Sequence, residues 1–229
     1  MNNFELSIYK ELEALSVMAL DAIETAEELT LSKRKLIALA QQKAELGAQS
    51  TELEAVQMEL SKENSRQFRN IHSFIICCAN ISKLLWLKLD GRDEDFFEKE
   101  EVDEALLKTI KEKIVKIRST LYLDSDQNSF YWKNKDLRNN LEHYNVKLLA
   151  LISKTGNMSS FRTCHSSTLH QLANNTAEKN YMRTYVTDTK EYIFQGTSYN
   201  LAKIESEVRS LLTNVQVEIA QLFSPVVSK

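Results

Sequence analysis

The chain has 229 residues, a formal net charge of −3, and only 4 glycines and 1 proline. So few turn-forming residues exclude an all-β protein and favour long helices. The charge excludes a global electrostatic attraction to nucleic acid, so any such binding must be local.

The sequence predicts a cytoplasmic protein without a membrane span. The segment Met1–Glu5 has no basic or apolar signal-peptide region, and no apolar run approaches ~20 residues. The 3 cysteines include Cys77 and Cys78, which lie in an apolar run, and the count is odd. Buried, reduced thiols are therefore expected rather than disulfides.

Apolar residues at helical spacing predict a long first helix from about Phe4 to about Leu46. The segment 30–35 could interrupt this helix, and Gly47 is its predicted stop. Such a long amphipathic segment is typical of a helical bundle.

A second long helix is predicted to follow at once. Thr51 and Glu54 have the spacing of a capping box that opens it. Its apolar residues continue to Leu85, and Asp90-Gly91 is the predicted stop. Its second half is apolar on most sides, which places that half at the centre of the core.

A third helix is predicted over 106–121, with one apolar and one basic face. We expect the basic face to be a solvated surface, and the alternative is a track for nucleic-acid phosphates. Its residues are Lys108, Lys111, Lys113, Lys116 and Arg118.

The remaining elements are a fourth helix over about 136–153, a β-hairpin over 180–194 and a last helix over about 200–223. The hairpin turn is predicted at 187–190, and Gly196 is expected to end the hairpin. The fold class is therefore mainly α, a helical bundle with long antiparallel helices and a small C-terminal β-hairpin. We expect one domain over 1–229, with an appendage at about 157–229.

The fourth helix begins with the most informative segment, Arg138-Asn139-Asn140-Leu141-Glu142-His143-Tyr144. Helical periodicity places Asn139 and His143 on one face, stacks Arg138 on Glu142, and puts Tyr144 in the apolar stripe. Arg138 and His143 then point ~140° apart, so they converge only if Arg138 bends around the helix start or if a second protomer supplies the complementary residue. This geometry predicts a dimeric site.

Anion binding and proton transfer are the chemistry that these residue types favour. The start of a helix has unpaired N–H groups and a positive dipole end, which together with Arg138 would hold a phosphate. His143, whose ordinary pKa is near ~6.5, can then move the proton of a 2′-hydroxyl or of a leaving group.

The segment resembles the signature of the HEPN superfamily, in which an arginine and a following polar residue precede a histidine by four to six residues. Arg138, Asn139 and His143 match with four residues between arginine and histidine. HEPN domains are helical bundles that dimerise, and many are metal-independent ribonucleases of toxin–antitoxin, abortive-infection and CRISPR systems.

The resemblance implies a role for each matching residue. Arg138 would orient or neutralise the scissile phosphate, His143 would transfer a proton, and Asn139 would hold the geometry of the site. Some relatives carry a tyrosine two residues after the histidine, whereas Tyr144 follows at once, so that role does not transfer. Tyr144, with Asn140 and Glu142, is predicted to contact substrate. For Arg138 and Glu142 the structural alternative is a surface ion pair.

Three other sets of residues have weaker functional interpretations. Arg66, Arg69 and His72 match the same motif loosely, and we interpret them mainly as a polar helix end that could line the same cleft. Cys164, His165 and His170 match no common zinc spacing, so no metal site is predicted. The aromatic set of the hairpin could stack on bases, although hairpin core is the favoured interpretation: Tyr181, Tyr185, Tyr192 and Phe194.

The sequence thus predicts a cytoplasmic, homodimeric, metal-independent HEPN-like endoribonuclease that needs no cofactor. Its expected partners are an RNA substrate and an antitoxin or regulatory protein, in a toxin or phage-defence role. The alternative is a non-catalytic helical protein for dimerisation, nucleotide binding or interaction.

Overall fold

The computed structural model describes residues 3–47, 49–86, 103–123, 153, 159–164, 181–194 and 197–223. In these ranges the helices are α1 (Asn3–Glu45), α2 (Ser50–Leu85), α3 (Glu104–Thr120) and α4 (Leu201–Phe223). The strands are β1 (Ser159–Cys164), β2 (Tyr181–Val186), β3 (Glu191–Phe194) and β4 (Thr197–Asn200). The predicted fold class, mainly α with long antiparallel helices and a C-terminal hairpin, is confirmed.

Helix α1 runs without a break through 30–35, where an interruption was considered. It ends where Gly47 adopts a positive φ of 71° and its N–H donates to the carbonyl of Ala44 at 3.1 Å. The left-handed conformation is cheap for glycine and closes the last turn. The predicted stop is therefore confirmed.

Helix α2 begins and ends at different residues from those predicted. Gln49 is the N-cap and makes no side-chain capping hydrogen bond, so the predicted capping box of Thr51 and Glu54 is wrong. Ser50 Oγ instead donates to Glu54 Oε1 at 2.8 Å. The helix ends at Leu85, before the predicted Asp90-Gly91 stop, because Trp86 leaves helical geometry.

Helices α1 and α2 pack antiparallel, as long-range contacts at several levels show. Near the connecting turn, Lys43 Nζ lies 2.9 Å from Glu52 Oε2. Further along, the side-chain amide of Gln67 donates to the carbonyl of Ala26 at 2.9 Å. The helices are long because their apolar stripes bury each other over much of their length.

The two helices divide into a body and an arm. In the body, buried side chains of α1 and α2 join those of α3, α4 and the sheet in one apolar core. In the arm, residues 34–62, Val56 is the only buried side chain among those described. The largest fully buried side chains lie in the body: Leu12, Ile23, Ile71, Phe74, Ile75, Ile81, Leu85, Ile117, Tyr185, Tyr192 and Phe194.

Helix α3 covers the end of the body that is opposite the arm. Its N-cap is Asp103, whose Oδ1 accepts from the backbone N–H of Leu106 at 2.6 Å. Ile114 and Ile117 are buried against the body. The helix is thereby held next to the first turns of α1, where Lys116 Nζ lies 3.4 Å from Glu5 Oε1.

The sheet is larger than the predicted hairpin. Strands β2 and β3 form the expected antiparallel hairpin around 187–190, with Tyr185 opposite Tyr192. Strand β4 then pairs antiparallel with β3, and β1 pairs parallel with β2, in the order β1-β2-β3-β4. The sheet therefore does not end at Gly196, and two of its strands were not predicted.

Helix α4 begins directly after the sheet and packs along α1. The side chain of Asn200 accepts from the backbone N–H of Lys203 at 2.8 Å, so this residue of β4 also caps the helix. At the middle of α4, Arg209 lies 2.7 Å from Glu24 of α1. None of the helices described is both long and apolar enough to cross a membrane.

Candidate functional site

The predicted catalytic residues Arg138, Asn139 and His143 lie outside the described residues, as do Asn140, Glu142 and Tyr144. Ser153, at the predicted end of their helix, is helical and exposed. The composite site of the HEPN-like motif therefore stays a prediction.

The second, looser motif match lies in the described part of α2, and its three residues have different surroundings. Arg66 donates to Glu63 Oε1 at 2.7 Å, so it belongs to a local ion pair. Arg69 is exposed, and His72 is half-buried. The guanidinium of Arg66 is thus engaged with a carboxylate, whereas Arg69 is an exposed arginine.

Arg183 of β2 lies beside this part of α2. Its guanidinium is 5.4 Å from the centre of the Phe68 ring, a cation–π distance. Phe68 is 2% exposed, so the ring forms a floor beneath the guanidinium. His72 lies four residues further on, on the same face of α2. Tertiary structure therefore places an arginine next to a histidine from a distant segment.

Electrostatics connect Arg183 with His72. Burial and the nearby guanidinium both hold the pKa of His72 below its ordinary value of 6.5. At pH 7 the imidazole is therefore neutral, with one nitrogen able to accept a proton and the other able to donate a hydrogen bond. The guanidinium can bind an anion, and the neutral imidazole can accept a proton from a neighbouring hydroxyl group.

A second polar cluster lies between α1 and α2, where the body meets the arm. Lys33 is 5% exposed, and its ammonium donates to Asn64 Oδ1 at 2.7 Å and to Gln67 Oε1. The amide of Gln67 donates in turn to Thr30 and to the carbonyl of Ala26. These contacts satisfy polar groups that would otherwise be costly to bury.

Burial lowers the pKa of Lys33 to about 8, although the carboxylate of Glu63 opposes that change. The arrangement favours one register of α1 against α2, because Lys33 and Thr30 of α1 contact Asn64 and Gln67 of α2. We interpret the cluster as structural, since its lysine is enclosed by side chains of the same helix pair.

A third cluster joins the hairpin turn to two helices. Lys190, at a positive φ of 53°, forms ion pairs with Glu27 of α1 and Glu205 of α4. Glu205 also accepts from Arg209 at 2.8 Å. Burial and the two carboxylates raise the pKa of Tyr185 beyond its ordinary value, so its hydroxyl stays protonated. These contacts stabilise the turn against the bundle.

The half-buried carboxyl of Glu207 lies near the free thiols of the adjacent residues Cys77 and Cys78. Burial raises the pKa of Glu207 to about 7, and its Oε2 has no hydrogen-bond partner among the described residues. Glu207 in turn raises the pKa of Cys78, after the larger effects of burial and Cys77. Both thiols are free, as predicted, and with raised pKa values they are poor nucleophiles at pH 7.

The basic face of α3 is partly engaged in contacts within the protein. Lys113 lies 5.1 Å from the centre of the Phe4 ring, and Arg118 lies 5.5 Å from that of Trp86. Lys116 faces Glu5, while Lys108 and Lys111 are exposed. The face is therefore divided between intramolecular contacts and solvent, which weakens the hypothesis of a continuous phosphate track.

The aromatic side chains of the hairpin belong mainly to the core. Tyr185 and Tyr192 are each 1% exposed, and Phe194 is fully buried. These three rings cannot stack on bases, which confirms the favoured interpretation. Of the proposed metal-type residues, Cys164 lies in β1, and His165 and His170 are outside the described residues.

Sequence reasoning missed Arg183 because its partners are far away along the chain. Arg183 lies in an alternating strand, where a charged residue normally faces solvent, and no local spacing links it to Phe68 or His72. The only sequence signal near this site was the loose motif that ends at His72. That motif pointed to Arg66 and Arg69 as the arginines of the site and not to Arg183.

The described ranges contain no group of three or more His, Cys, Asp and Glu side chains that could hold a metal ion. Comparison with protein-family models, with curated proteins and with solved structures finds no match. The function must therefore be argued from the residues themselves.

Proposed function

We propose that this protein is a metal-independent, HEPN-like endoribonuclease that acts as a cytoplasmic homodimer. The observation that carries the proposal is the pair Arg138-Asn139 followed by His143 at the HEPN spacing. The mainly helical fold supports it, because the motif requires a helical setting. By analogy, the biological role is that of a toxin or a phage-defence effector, controlled by an antitoxin or another regulatory protein.

The proposed reaction is transesterification within RNA. The ribose 2′-oxygen attacks the adjacent phosphorus, the bond from phosphorus to the 5′-oxygen breaks, and a 2′,3′-cyclic phosphate and a 5′-hydroxyl form. The 2′-hydroxyl loses a proton and the leaving 5′-oxygen gains one, and His143 carries out one of these two transfers. Arg138 offsets the negative charge that develops on the phosphoryl oxygens.

The test is cleavage of RNA by the purified full chain in the presence of EDTA. We expect the wild-type protein to cut RNA and His143→Ala to lose at least a hundredfold in rate, since a general acid–base group contributes about 10²–10⁴-fold. His165→Ala is the matched control, a second histidine outside the motif. Intact RNA with wild-type enzyme across several RNAs, or equal cleavage by His143→Ala, would refute the proposal.

One observation favours the second candidate, a non-catalytic helical protein that self-associates. Leu31, Leu39 and Leu46 of α1 and its terminal turn are 57%, 41% and 79% exposed. At ~100° per residue they lie within an arc of about 80°, so they form one apolar stripe. The occupant that this stripe fits is a second copy of the chain.

The fit is argued from symmetry. Antiparallel pairing about a two-fold axis between Ala38 and Leu39 places Leu31 against the partner's Leu46, and Lys35 against the partner's Gln42. Apolar groups then meet apolar groups, and no like charges face each other. If association alone is the function, Leu39→Glu abolishes the dimer in analytical ultracentrifugation and activity in cells, while Met58→Glu, on α2, and His143→Ala leave both intact. A Leu39→Glu protein that dimerises like the wild type would exclude this arrangement.

A further inference from the structure

Arg183, Phe68 and His72 form a compact group on one side of the body. The guanidinium of Arg183 lies 5.4 Å from the Phe68 ring centre. The ring packs against the guanidinium, which limits the positions that the guanidinium can take. His72 is half-buried and lies one helical turn beyond Phe68. A cation and an imidazole are thus held near each other by two separate elements.

Arg69 extends this group towards solvent. It lies three residues before His72 on α2, is exposed, and makes no ion pair with another residue of the described ranges. Arg66, by contrast, is held by Glu63, whose side chain is 7% exposed. Arg69 and His72 thus occupy neighbouring positions on the surface of α2, and Arg183 of β2 acts on the same imidazole.

This chemistry matches a phosphodiester. Two guanidinium groups supply charge-assisted donors in a planar fork, which fits the oxygens of a phosphate. Burial and Arg183 keep the pKa of His72 low, so the imidazole contributes a hydrogen bond rather than a third full charge. The group thus offers an anion two cations and one neutral hydrogen-bond donor.

We propose that Arg183, Arg69 and His72 bind a backbone phosphate of single-stranded RNA, at a subsite separate in sequence from the Arg138–His143 motif. The RNA identity of the ligand rests on the proposed function. The subsite would position substrate, since it adds phosphate contacts that hold the strand in register without reading its sequence. The overall charge of −3 makes such local contacts necessary for RNA binding.

The experiment measures binding of a fluorescein-labelled single-stranded oligouridylate by fluorescence anisotropy, with the full chain carrying His143→Ala to prevent cleavage. We expect Arg183→Gln to weaken binding about tenfold, and Arg69→Gln several-fold, because each removes a charge-assisted contact. The slope of log affinity against log salt should decrease by about 0.7 for each lost phosphate contact. Arg34→Gln, an exposed arginine of the arm, is the matched control.

Further variants separate binding from folding. Arg183→Gln also removes the contact with Phe68, whereas Arg69→Gln changes only an exposed side chain, so a loss of binding in both cannot be a folding defect. Arg183→Lys should recover part of the affinity, because it keeps the charge but not the fork. Binding by Arg183→Gln and Arg69→Gln equal to that of Arg34→Gln would overturn the inference.

The outcomes for this inference and for the proposed function are distinguishable. If wild-type protein does not cut RNA but binding depends on Arg183 and Arg69, the ribonuclease proposal fails and the RNA subsite stands. If His143-dependent cleavage is found while both arginine variants bind like the control, the subsite fails and the ribonuclease proposal stands.

Discussion

Lys33 illustrates at the scale of a single residue how burial changes the chemistry of a charged side chain. It is 5% exposed, and burial lowers its pKa to about 8 from an ordinary value of 10.5. The folded state therefore binds fewer protons than the unfolded chain between these two pH values. Where the unfolded state holds more protons, stability rises with pH.

We predict that Lys33→Met removes this pH dependence. Between about pH 8 and 10.5 the wild type should gain about 1–3 kcal/mol of unfolding free energy relative to the variant, since a tenfold change in a dissociation constant corresponds to about 1.4 kcal/mol. Urea unfolding of both proteins at several pH values in this window measures the difference. Lys62→Met, whose lysine is 64% exposed, is the control and should follow the wild type. A constant difference between wild type and Lys33→Met would contradict the prediction.

Glu205 is a second residue whose importance depends on its neighbours. It contacts Lys190 at 3.3 Å and Arg209 at 2.8 Å, and its side chain is 13% exposed. Loss of this charge leaves two cations near each other with one carboxylate fewer.

We expect Glu205→Gln to lower the free energy of unfolding by about 1–2 kcal/mol, which is more than a surface ion pair is worth. Thermal unfolding at neutral pH measures this loss. Glu28→Gln, an exposed position of α1, should change stability by less than about 0.5 kcal/mol. Equal effects of the two substitutions would show that the Lys190 cluster does not stabilise the hairpin turn.

At the scale of elements, the turn between α1 and α2 depends on the backbone of Gly47. Its φ of +71° is in the left-handed region, and a Cβ added there would meet nothing within 4 Å. Any penalty for a side chain therefore comes from backbone conformation and not from a clash.

We predict that Gly47→Ala destabilises the protein by about 1 kcal/mol, because a β-carbon disfavours the left-handed conformation by that amount. Gly47→Asn should cost less, since asparagine tolerates this conformation better. Urea unfolding of the two variants gives the comparison. An unchanged stability of Gly47→Ala would mean that the turn relaxes to another conformation.

At the scale of the whole molecule, the proposed active site depends on the assembly. Helical periodicity predicts that Arg138 and His143 point ~140° apart, so the proposal places Arg138 of one protomer with His143 of the other. Two inactive variants can test this directly, because a mixed dimer would contain one intact composite site.

We expect a mixture of Arg138→Ala and His143→Ala proteins, unfolded and refolded together, to regain up to about a quarter of wild-type activity. Random pairing makes half of the dimers mixed, and each of these has one intact site out of two. RNA cleavage in EDTA measures the recovery, and the two variants refolded separately are the controls. No recovery, in a mixture shown to contain mixed dimers, would locate both residues of a site in one protomer.

Local sequence patterns determined most of the elements of this protein. Helical periodicity predicted α1, α2, α3 and α4, and Gly47 predicted the first stop, because these signals act over neighbouring residues. The hairpin around 187–190 followed from alternating β-formers on both sides of polar residues. The resemblance of 138–143 to a ribonuclease motif is also local, and so it could be found without a structure.

Only the tertiary structure decided what depends on distant partners. Strand β1 pairs with β2 across a long segment, and no local pattern specifies such a parallel pairing. No local pattern indicates that Lys33 is buried against Gln67, or that Arg183 lies beside Phe68 of α2. The physical reason is that burial and pKa depend on neighbours in space, whereas periodicity records neighbours along the chain.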